Sequence, residues 1–269
     1  MGLTAKELAK IKEYISSKRF AHFSISSLAI FAKRKGDLFA SPATWSRVVR
    51  KLGLRRPSKR VYPPKPKVGI RATSPNHLWH IDLSVIKLQD GTRCYIQAII
   101  DNFSRYVLAS NVTSDYGGVR TAELIRQAIE KTRSITLKPT LMCDQGTENL
   151  NSEVDSLLEE QDIKRVVAQI DIDFSNSMVE ALFKRMKYNY LFNHPLTSLQ
   201  TLREKLNYYI EESNNQIPLV SLRGATPSET FFSSLPDNHT EKIKTHHKLA
   251  IRARIESNRN TNCGICVNG

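Results

Sequence analysis

Cysteine is scarce in this 269-residue chain, with 4 residues scattered along it. Four isolated cysteines make no disulfide framework, so a reducing cytoplasm is the expected compartment. Long hydrophobic runs are missing too. Stretches such as Tyr95–Ile100 fall far below the roughly 20 apolar residues that span a bilayer, which excludes a helical membrane protein. The first residues, Met1-Gly-Leu-Thr-Ala-Lys6, are too polar for a signal peptide, and Lys6 stands where a myristoylation signal has Ser or Thr. Acidic residues are nearly absent from the first quarter. Residues 1–76 hold 3 Asp/Glu against 18 Lys/Arg, a net of +15, while residues 77–269 hold 23 against 22, a net of −1. The whole excess of +14 therefore sits in one arm joined to a near-neutral body. Such an arm suits a polyanion, DNA or RNA; a solvated basic tail is the plain alternative.

The arm reads as three short helices. Leu8, Ile11 and Ile15 share a stripe over 4–17. Residues 26–35 form the second, capped by Ser26 or Ser27 and ended by Gly36. The third is the clearest, with Ser41 as N-cap, Pro42 at the first helical position and Gly53 at the end. Its apolar stripe is Trp45, Val48, Val49 and Leu52, and Thr44, Arg47 and Lys51 share another face. Residues 1–54 are thus expected to be an all-α helix-turn-helix module whose third helix enters the major groove, with Thr44, Arg47, Lys51, Arg55 and Arg56 on DNA. A small bundle that only packs on its neighbour is the alternative. Residues 55–76 carry prolines 57, 63, 64, 66 and 75 among basic residues and read as an extended linker able to follow phosphates.

From residue 77 the pattern changes. Trp79, Ile81, Leu83 and Val85 alternate with His80, Asp82 and Ser84, as in a strand. Asp90-Gly91 marks a hairpin, and Cys94–Ile100 and Tyr106–Val112 make two further strands. Helix Val119–Thr132, strand Thr140–Cys143, helix Ser152–Glu160, strand Lys164–Ala168 and helices Ser177–Leu191 and Leu199–Glu212 follow. That order predicts an α/β domain over 77–235, a mixed five-stranded sheet flanked by helices. Cys94 and Cys143 are expected to be small buried residues.

Three acids stand out. Asp82 lies on the polar side of an apolar strand, where an unpaired acid is expensive. Asp144 opens the run Asp144-Gln-Gly-Thr-Glu-Asn149 at the C-terminal end of a strand, where ligands gather in open α/β folds. Glu180 shares a helix face with Lys184 and Lys187, beside the stripe Val179, Leu182, Phe183, Met186 and Tyr190. Hard divalent ions want such oxygens, and paired ions serve phosphoryl transfer. Each acid also has a plain reading: Asp82 as a paired strand acid, Asp144 as a turn or cap residue, Glu180 as the partner of Lys184.

Between Asp82 and Asp144 lie 61 residues, and between Asp144 and Glu180 lie 35. An Asp, Asp, Glu triad so spaced resembles the DDE-type integrase-core transposases of bacterial insertion sequences, relatives of retroviral integrases. Trp79-His-Ile-Asp82 resembles their first catalytic strand. Asp101-Asn-Phe-Ser-Arg105 resembles a turn, Asp144–Asn149 the second acid segment, Asn176–Lys184 the glutamate helix and Gly224-Ala-Thr-Pro-Ser-Glu229 a late Thr-Pro motif. The resemblance covers roughly residues 20–232 and implies an RNase H-like fold. It implies binding of terminal inverted repeats and Mg²⁺- or Mn²⁺-dependent strand cleavage and strand transfer. Asp82, Asp144 and Glu180 would ligate two ions, Lys184 and Lys187 would touch DNA, and Asn149 would support the Asp144 turn. Implied partners are duplex DNA, further copies of the chain, and a second reading-frame product carrying the coiled-coil module found in many relatives. A transposase-derived DNA-binding regulator without turnover is the alternative function, and a nuclease of RNA–DNA hybrids a third. One departure is that Asn214-Asn215 is followed by Gln-Ile-Pro-Leu-Val rather than the usual Arg-Pro-His-like string, which weakens a catalytic histidine there. The tail, 236–269, lies outside the resemblance; His246, His247, Cys263 and Cys266 make a weak zinc pattern there.

Overall fold

The structure is a computed structural model that describes residues 2–54, 70–133, 135–168, 170–171 and 176–265, with side chains to residue 260. Arg55, Arg56 and most of the basic linker lie outside the described residues, as do Cys266 and the side chain of Cys263. Among the described residues no helix is long and apolar enough to cross a membrane. The chain divides into two compact units. One is formed by the described parts of Met1–Val61, Ile217–Ala225 and Leu235–Gly269, the other by those of Tyr62–Gln216 and Thr226–Ser234.

The first unit contains α1 (Ala5–Ser16), α2 (Ile25–Lys35) and α3 (Pro42–Lys51). Thr4 and Glu7 close a capping box on α1. Ser24, rather than the Ser26 or Ser27 expected from sequence, caps α2; its Oγ accepts from Ser27 N–H at 3.0 Å. Gly36 ends α2 at φ 78°, a left-handed conformation that glycine adopts without a Cβ penalty. Ser41 caps α3 and Pro42 begins it. Its inward residues are Trp45 and Val49, both buried, whereas Leu52 is half exposed. They join Ile11, Tyr14, Phe23, Leu28 and Phe31 in one core, completed by Ile217 and Leu219 from far along the chain. Each large side chain buried there contributes about 1.5–3 kcal/mol. The unit closes with a helix that the sequence pattern does not announce, His239–Ile265, designated below by its place in chain order.

The second unit is a five-stranded sheet between two helical layers. Strands β1 (Leu78–Lys87), β2 (Arg93–Asp101) and β3 (Val107–Thr113) form an antiparallel meander. Gly91, at φ 86°, turns the first hairpin. Strand β4 (Thr140–Cys143) joins the other side of β1 in parallel, and β5 (Lys164–Val167) follows it, so the order is β3-β2-β1-β4-β5. Helices α4 (Gly118–Lys131) and α5 (Ser152–Glu160) cover one face. There Trp79, Ile81, Ile99 and Leu141 meet Leu124, Ile125 and Leu157. Helices α6 (Ser177–Asn189) and α7 (Leu199–Asn215) cover the other. There Ile86, Ile96 and Ile100 meet Leu182, Phe183, Met186 and Leu206. Short α8 (Pro227–Phe231) starts on a second capping box, Thr226 with Glu229, and stacks Phe231 on Tyr106. The last helix, in the first unit, is α9 (His239–Ile265). Cys94 and Cys143 are buried free thiols.

Side chains alternate along a strand, so even-numbered residues of β1 face α6 and odd-numbered ones face α4 and α5. Val85, expected among the inward residues, is exposed, and Ile86 is buried on the α6 face instead. Asp82 is on that same face.

Candidate active site

Strands β1 and β4 are parallel neighbours in a fixed register: Leu78 opposite Thr140, Trp79 opposite Leu141, His80 opposite Met142. Each pair is 62 positions apart, and so are Asp82 and Asp144. The ladder ends at His80 and Met142, so the two aspartates each stand two residues beyond its last pair. Glu180 comes from α6, whose stripe of Val179, Leu182, Phe183 and Met186 is buried against the sheet. The stripe fixes the rotation of the helix and leaves Glu180 on its solvent side.

Each aspartate is held by one oxygen. Asp82 Oδ1 accepts from Leu83 N–H at 2.8 Å. Asp144 Oδ1 accepts from Gly146 N–H at 3.1 Å and from Asn149 Nδ2 at 2.8 Å, so Asn149 supports this turn as the resemblance implies. Among the described residues Oδ2 of neither carboxylate makes a hydrogen bond. Glu148 is buried in the same loop and lies over Gly146, where a methyl group would run into its carboxylate. Asn151 finishes the loop by capping α5 and bonding the carbonyls of Thr147 and Glu148.

Burial pushes the Asp82 carboxyl up to about 7, with the charges of Asp144, Glu180 and Glu148 adding to the rise. The charges of Asp144 and Glu180 thus reach Asp82, as does that of Glu148, a fourth acid that sequence reasoning passed over. Among the described residues no three His, Cys, Asp or Glu side chains are gathered tightly enough to form a ready metal cage. The donors nevertheless suit a hard cation, since Mg²⁺ is commonly held by one or two carboxylates, water and substrate phosphate. Each aspartate offers one such oxygen.

The lysines differ. Lys184 is exposed. Lys187 reaches back to donate to the Val85 carbonyl at 2.5 Å, and its burial lowers its proton affinity while Asp82 raises it.

A buried amide relay lies beneath the acids. Asn176, the N-cap position of α6, donates from Nδ2 to the Ile81 carbonyl at 2.7 Å, so its Oδ1 must accept. His80 Nδ1 lies 2.7 Å from that oxygen. The other ring nitrogen, Nε2, takes a hydrogen from Asn102 Nδ2 at 2.8 Å, and Asn102 Oδ1 accepts from Ala72 N–H at 2.7 Å. The pattern requires a neutral imidazole with its proton on Nδ1. Burial agrees, lowering His80 to about 4. In the sequence His80 shows only as a polar residue of the β1 alternation; no local signal marks its distant amide partners.

In the other unit Arg47 and Lys51 of α3 are exposed, and Thr44 turns its hydroxyl to Ser41 Oγ at 2.9 Å. His246 of the expected zinc pattern packs its ring 5.5 Å from that of Phe39.

The site thus consists of a meander extended by two parallel strands, with acids on β1, just past the end of β4 and on the covering helix. Residues 72–170 match the family model of the integrase core domain. Over 159 residues the chain is 24% identical to a protein of Escherichia coli (strain K12) named as a transposase, InsK, for insertion sequence element IS150, covering 59% of this chain and 56% of that one. Over 147 residues it is 24% identical to the transposase for insertion sequence element IS904 of Lactococcus lactis subsp. lactis (strain IL1403), covering 54% and 56%. The chain spans about half the length of these curated relatives. A simian T-cell lymphotropic virus intasome, solved in complex with PP2A regulatory subunit B56 gamma, shares the fold. It aligns with TM-score 0.52 at 16% identity over 84% of this chain and 75% of that one. Residues 72–170 are thus similar to the integrase core domain, and a little over half of the chain is similar to these transposases of insertion sequences.

Proposed function

We propose that this chain binds the terminal inverted repeats of an insertion sequence and carries out metal-dependent DNA strand cleavage and strand transfer. The observation that supports this most directly is that Asp82 and Asp144 share the offset of 62 seen in the β1–β4 register, both inside the segment that matches the integrase core. Asp82, Asp144 and Glu180 would hold two Mg²⁺ or Mn²⁺ ions, the aspartates through the oxygens that their internal hydrogen bonds leave open. When bound, such ions neutralise the phosphodiester and activate the attacking oxygen. The chain's own part is positional. Asn149 orients Asp144, the Asn176 relay anchors the start of α6, and Lys184 offers a charge to the DNA backbone one turn beyond Glu180.

Helices α1–α3 serve in this reading as a helix-turn-helix module, with Arg47 and Lys51 outward on α3. Residues 1–54, 55–76 and 77–235 are then DNA-binding module, linker and catalytic core. Pairing two element ends calls for at least two copies of the chain.

The test uses full-length protein, duplexes carrying the sequences that flank its gene, and Mg²⁺ or Mn²⁺. Wild type should nick at the element end and join the freed 3′ end to a second duplex. Glu180→Gln should lose both steps and keep binding. Joining by Glu180→Gln at the normal rate would overturn the metal assignment, and wild type that binds without nicking would leave the regulator in its place.

A further inference from the structure

The acid-poor first quarter is not the only basic part of the chain. Helix α9 holds six Lys/Arg and two Asp/Glu, a net of +4, so the rest of residues 77–269 carries −5. The fold returns this second basic segment to the first unit. Arg254 Nε bonds Glu7 Oε1 at 2.5 Å, and its Nη2 bonds the Phe39 carbonyl at 2.5 Å. The side chains of Arg254 and Glu7 are only 11% and 18% exposed, so this ion pair fixes which way the helix faces. Asn258 adds a contact to the Gly2 carbonyl at 3.5 Å. Among the described residues none of α9 enters the apolar core of the unit.

At 100° per residue this anchoring fixes which residues of the helix point outward. Ile243, His247, Ala250, Arg254 and Asn258 fall along the docked side and are half-buried. Lys244, Lys248, Arg252 and Arg259 fall within one outward arc, and all are exposed. Lys244 is partnered by Glu241 at 2.6 Å. The other three make no ion pair among the described residues, although Glu256 lies one turn beyond Arg252. From Lys244 to Arg259 the stripe runs about 22 Å at 1.5 Å per residue, some two thirds of one turn of duplex.

We propose that Lys248, Arg252 and Arg259, with Lys244 at the end of the row, form a second contact with the phosphate backbone of duplex DNA, contributed by the C-terminal helix to the same unit that holds α3. The stripe presents charges with no aromatic side chain among them, and the one apolar residue in the arc, Ile255, is half-buried. That suits phosphates rather than bases. The stripe therefore adds affinity without sequence preference. The inference rests on DNA being the partner, as proposed above.

The experiment is duplex binding by full-length protein, followed by fluorescence anisotropy across a range of NaCl concentrations. The triple variant Lys248→Gln, Arg252→Gln, Arg259→Gln should bind at least about tenfold more weakly at 0.1 M salt. Its slope of log K against log[salt] should be shallower by roughly 3. A charge-matched variant in the other unit, Arg133→Gln, Lys138→Gln, Lys164→Gln, should keep the wild-type slope. Thermal unfolding of each variant checks that the fold is intact. A stripe variant with the wild-type slope, or equal losses in both variants, would overturn the inference and leave DNA as the partner. Wild type with no salt-dependent duplex binding, or with preference for single-stranded RNA, would overturn both readings together.

Discussion

His80 Nδ1 donates to Asn176 Oδ1 across 2.7 Å, and that bond joins the strand carrying Asp82 to the start of the helix carrying Glu180. His80 stands two residues before Asp82 on the same face of β1. Asn176 stands one helical turn before Glu180 and also bonds the Ile81 carbonyl. Two carboxylates 98 positions apart thus have their backbones tied together by one buried amide. The apolar stripe of α6 sets the rotation of the helix, but a greasy face allows sliding along its axis. The directional bonds of Asn176 resist that slide.

Asn176→Ala should therefore separate positioning from folding. It leaves the His80 N–H and the Ile81 carbonyl without their side-chain partner, and a buried unsatisfied group costs about 1–3 kcal/mol. Urea unfolding should show that loss. Asn214→Ala is the control. Asn214 tethers α7 to β3, accepting from Val107 N–H at 2.8 Å and donating to Val107 O at 3.0 Å, away from the acids. The two variants should lose similar stability. Only Asn176→Ala should lower the nicking rate of the folded protein under conditions where both variants remain folded. Equal activity in the two would remove the positioning role.

The same relay predicts acid sensitivity. His80 falls from 6.5 to about 4 in the fold, chiefly through burial, against a raising contribution from Asn176. Between those values the unfolded chain binds a proton that the folded chain refuses. Stability is then full above about pH 6.5, declines as pH falls, and is about 3 kcal/mol lower once pH has dropped below about 4. His80→Gln should flatten that part of the curve of unfolding free energy against pH. An unchanged slope in the variant would assign the acid sensitivity to other groups.

Much of this architecture is legible in the sequence where the signal is local. Ser41-Pro42 and Gly53 bracket α3, and Asp90-Gly91 turns the β1–β2 hairpin, because caps and tight turns are chosen by a few adjacent residues. Alternation locates β1 but misplaces Val85, since this central strand is covered on both faces and its burial follows the helices above and below. Helix α9 is opaque to pattern reading. Its docked side sets His247, Arg254 and Asn258 among Ile243 and Ala250, so no clean apolar stripe marks it, and the partner of Arg254, Glu7, lies 247 positions away. The triad stands out in the sequence through its spacing and its likeness to a known family. Asn176, Asn102 and Glu148 were not singled out, because an isolated amide or acid announces nothing until a distant strand arrives beside it.

Removing Arg254 should expose that last dependence. Arg254→Ala leaves the shielded Glu7 carboxylate without its ion-pair partner and the Phe39 carbonyl without its donor. Breaking a well-buried pair costs about 3–5 kcal/mol; here, with the side chains 11% and 18% exposed, about 1–3 kcal/mol is expected after solvent screening. Limited proteolysis should cut the variant within 239–265 at protease levels that leave wild type intact. Arg254→Lys keeps the charge but not the fork that reaches both Glu7 and Phe39, so it should fall between the two. Equal protection of all three proteins would show that α9 is held by something other than Arg254.

Asn149→Ala should affect the acids more directly. The Asn149 side chain, 2% exposed, gives Asp144 Oδ1 its 2.8 Å bond from Nδ2. Its own backbone is held separately, by Asn149 N–H on the Gly146 carbonyl at 2.9 Å and by Arg165 on the Asn149 carbonyl at 3.0 Å. The loop should therefore keep its path in the variant while Asp144 gains freedom to rotate. Loss of a residue that orients a metal-binding carboxylate commonly costs 10- to 100-fold in metal affinity or activity. The Mn²⁺ concentration for half-maximal nicking should accordingly rise about tenfold or more, with duplex affinity in the absence of metal unchanged. A normal metal requirement, measured on protein whose unfolding midpoint matches wild type, would mean that Asp144 is held in place without its amide.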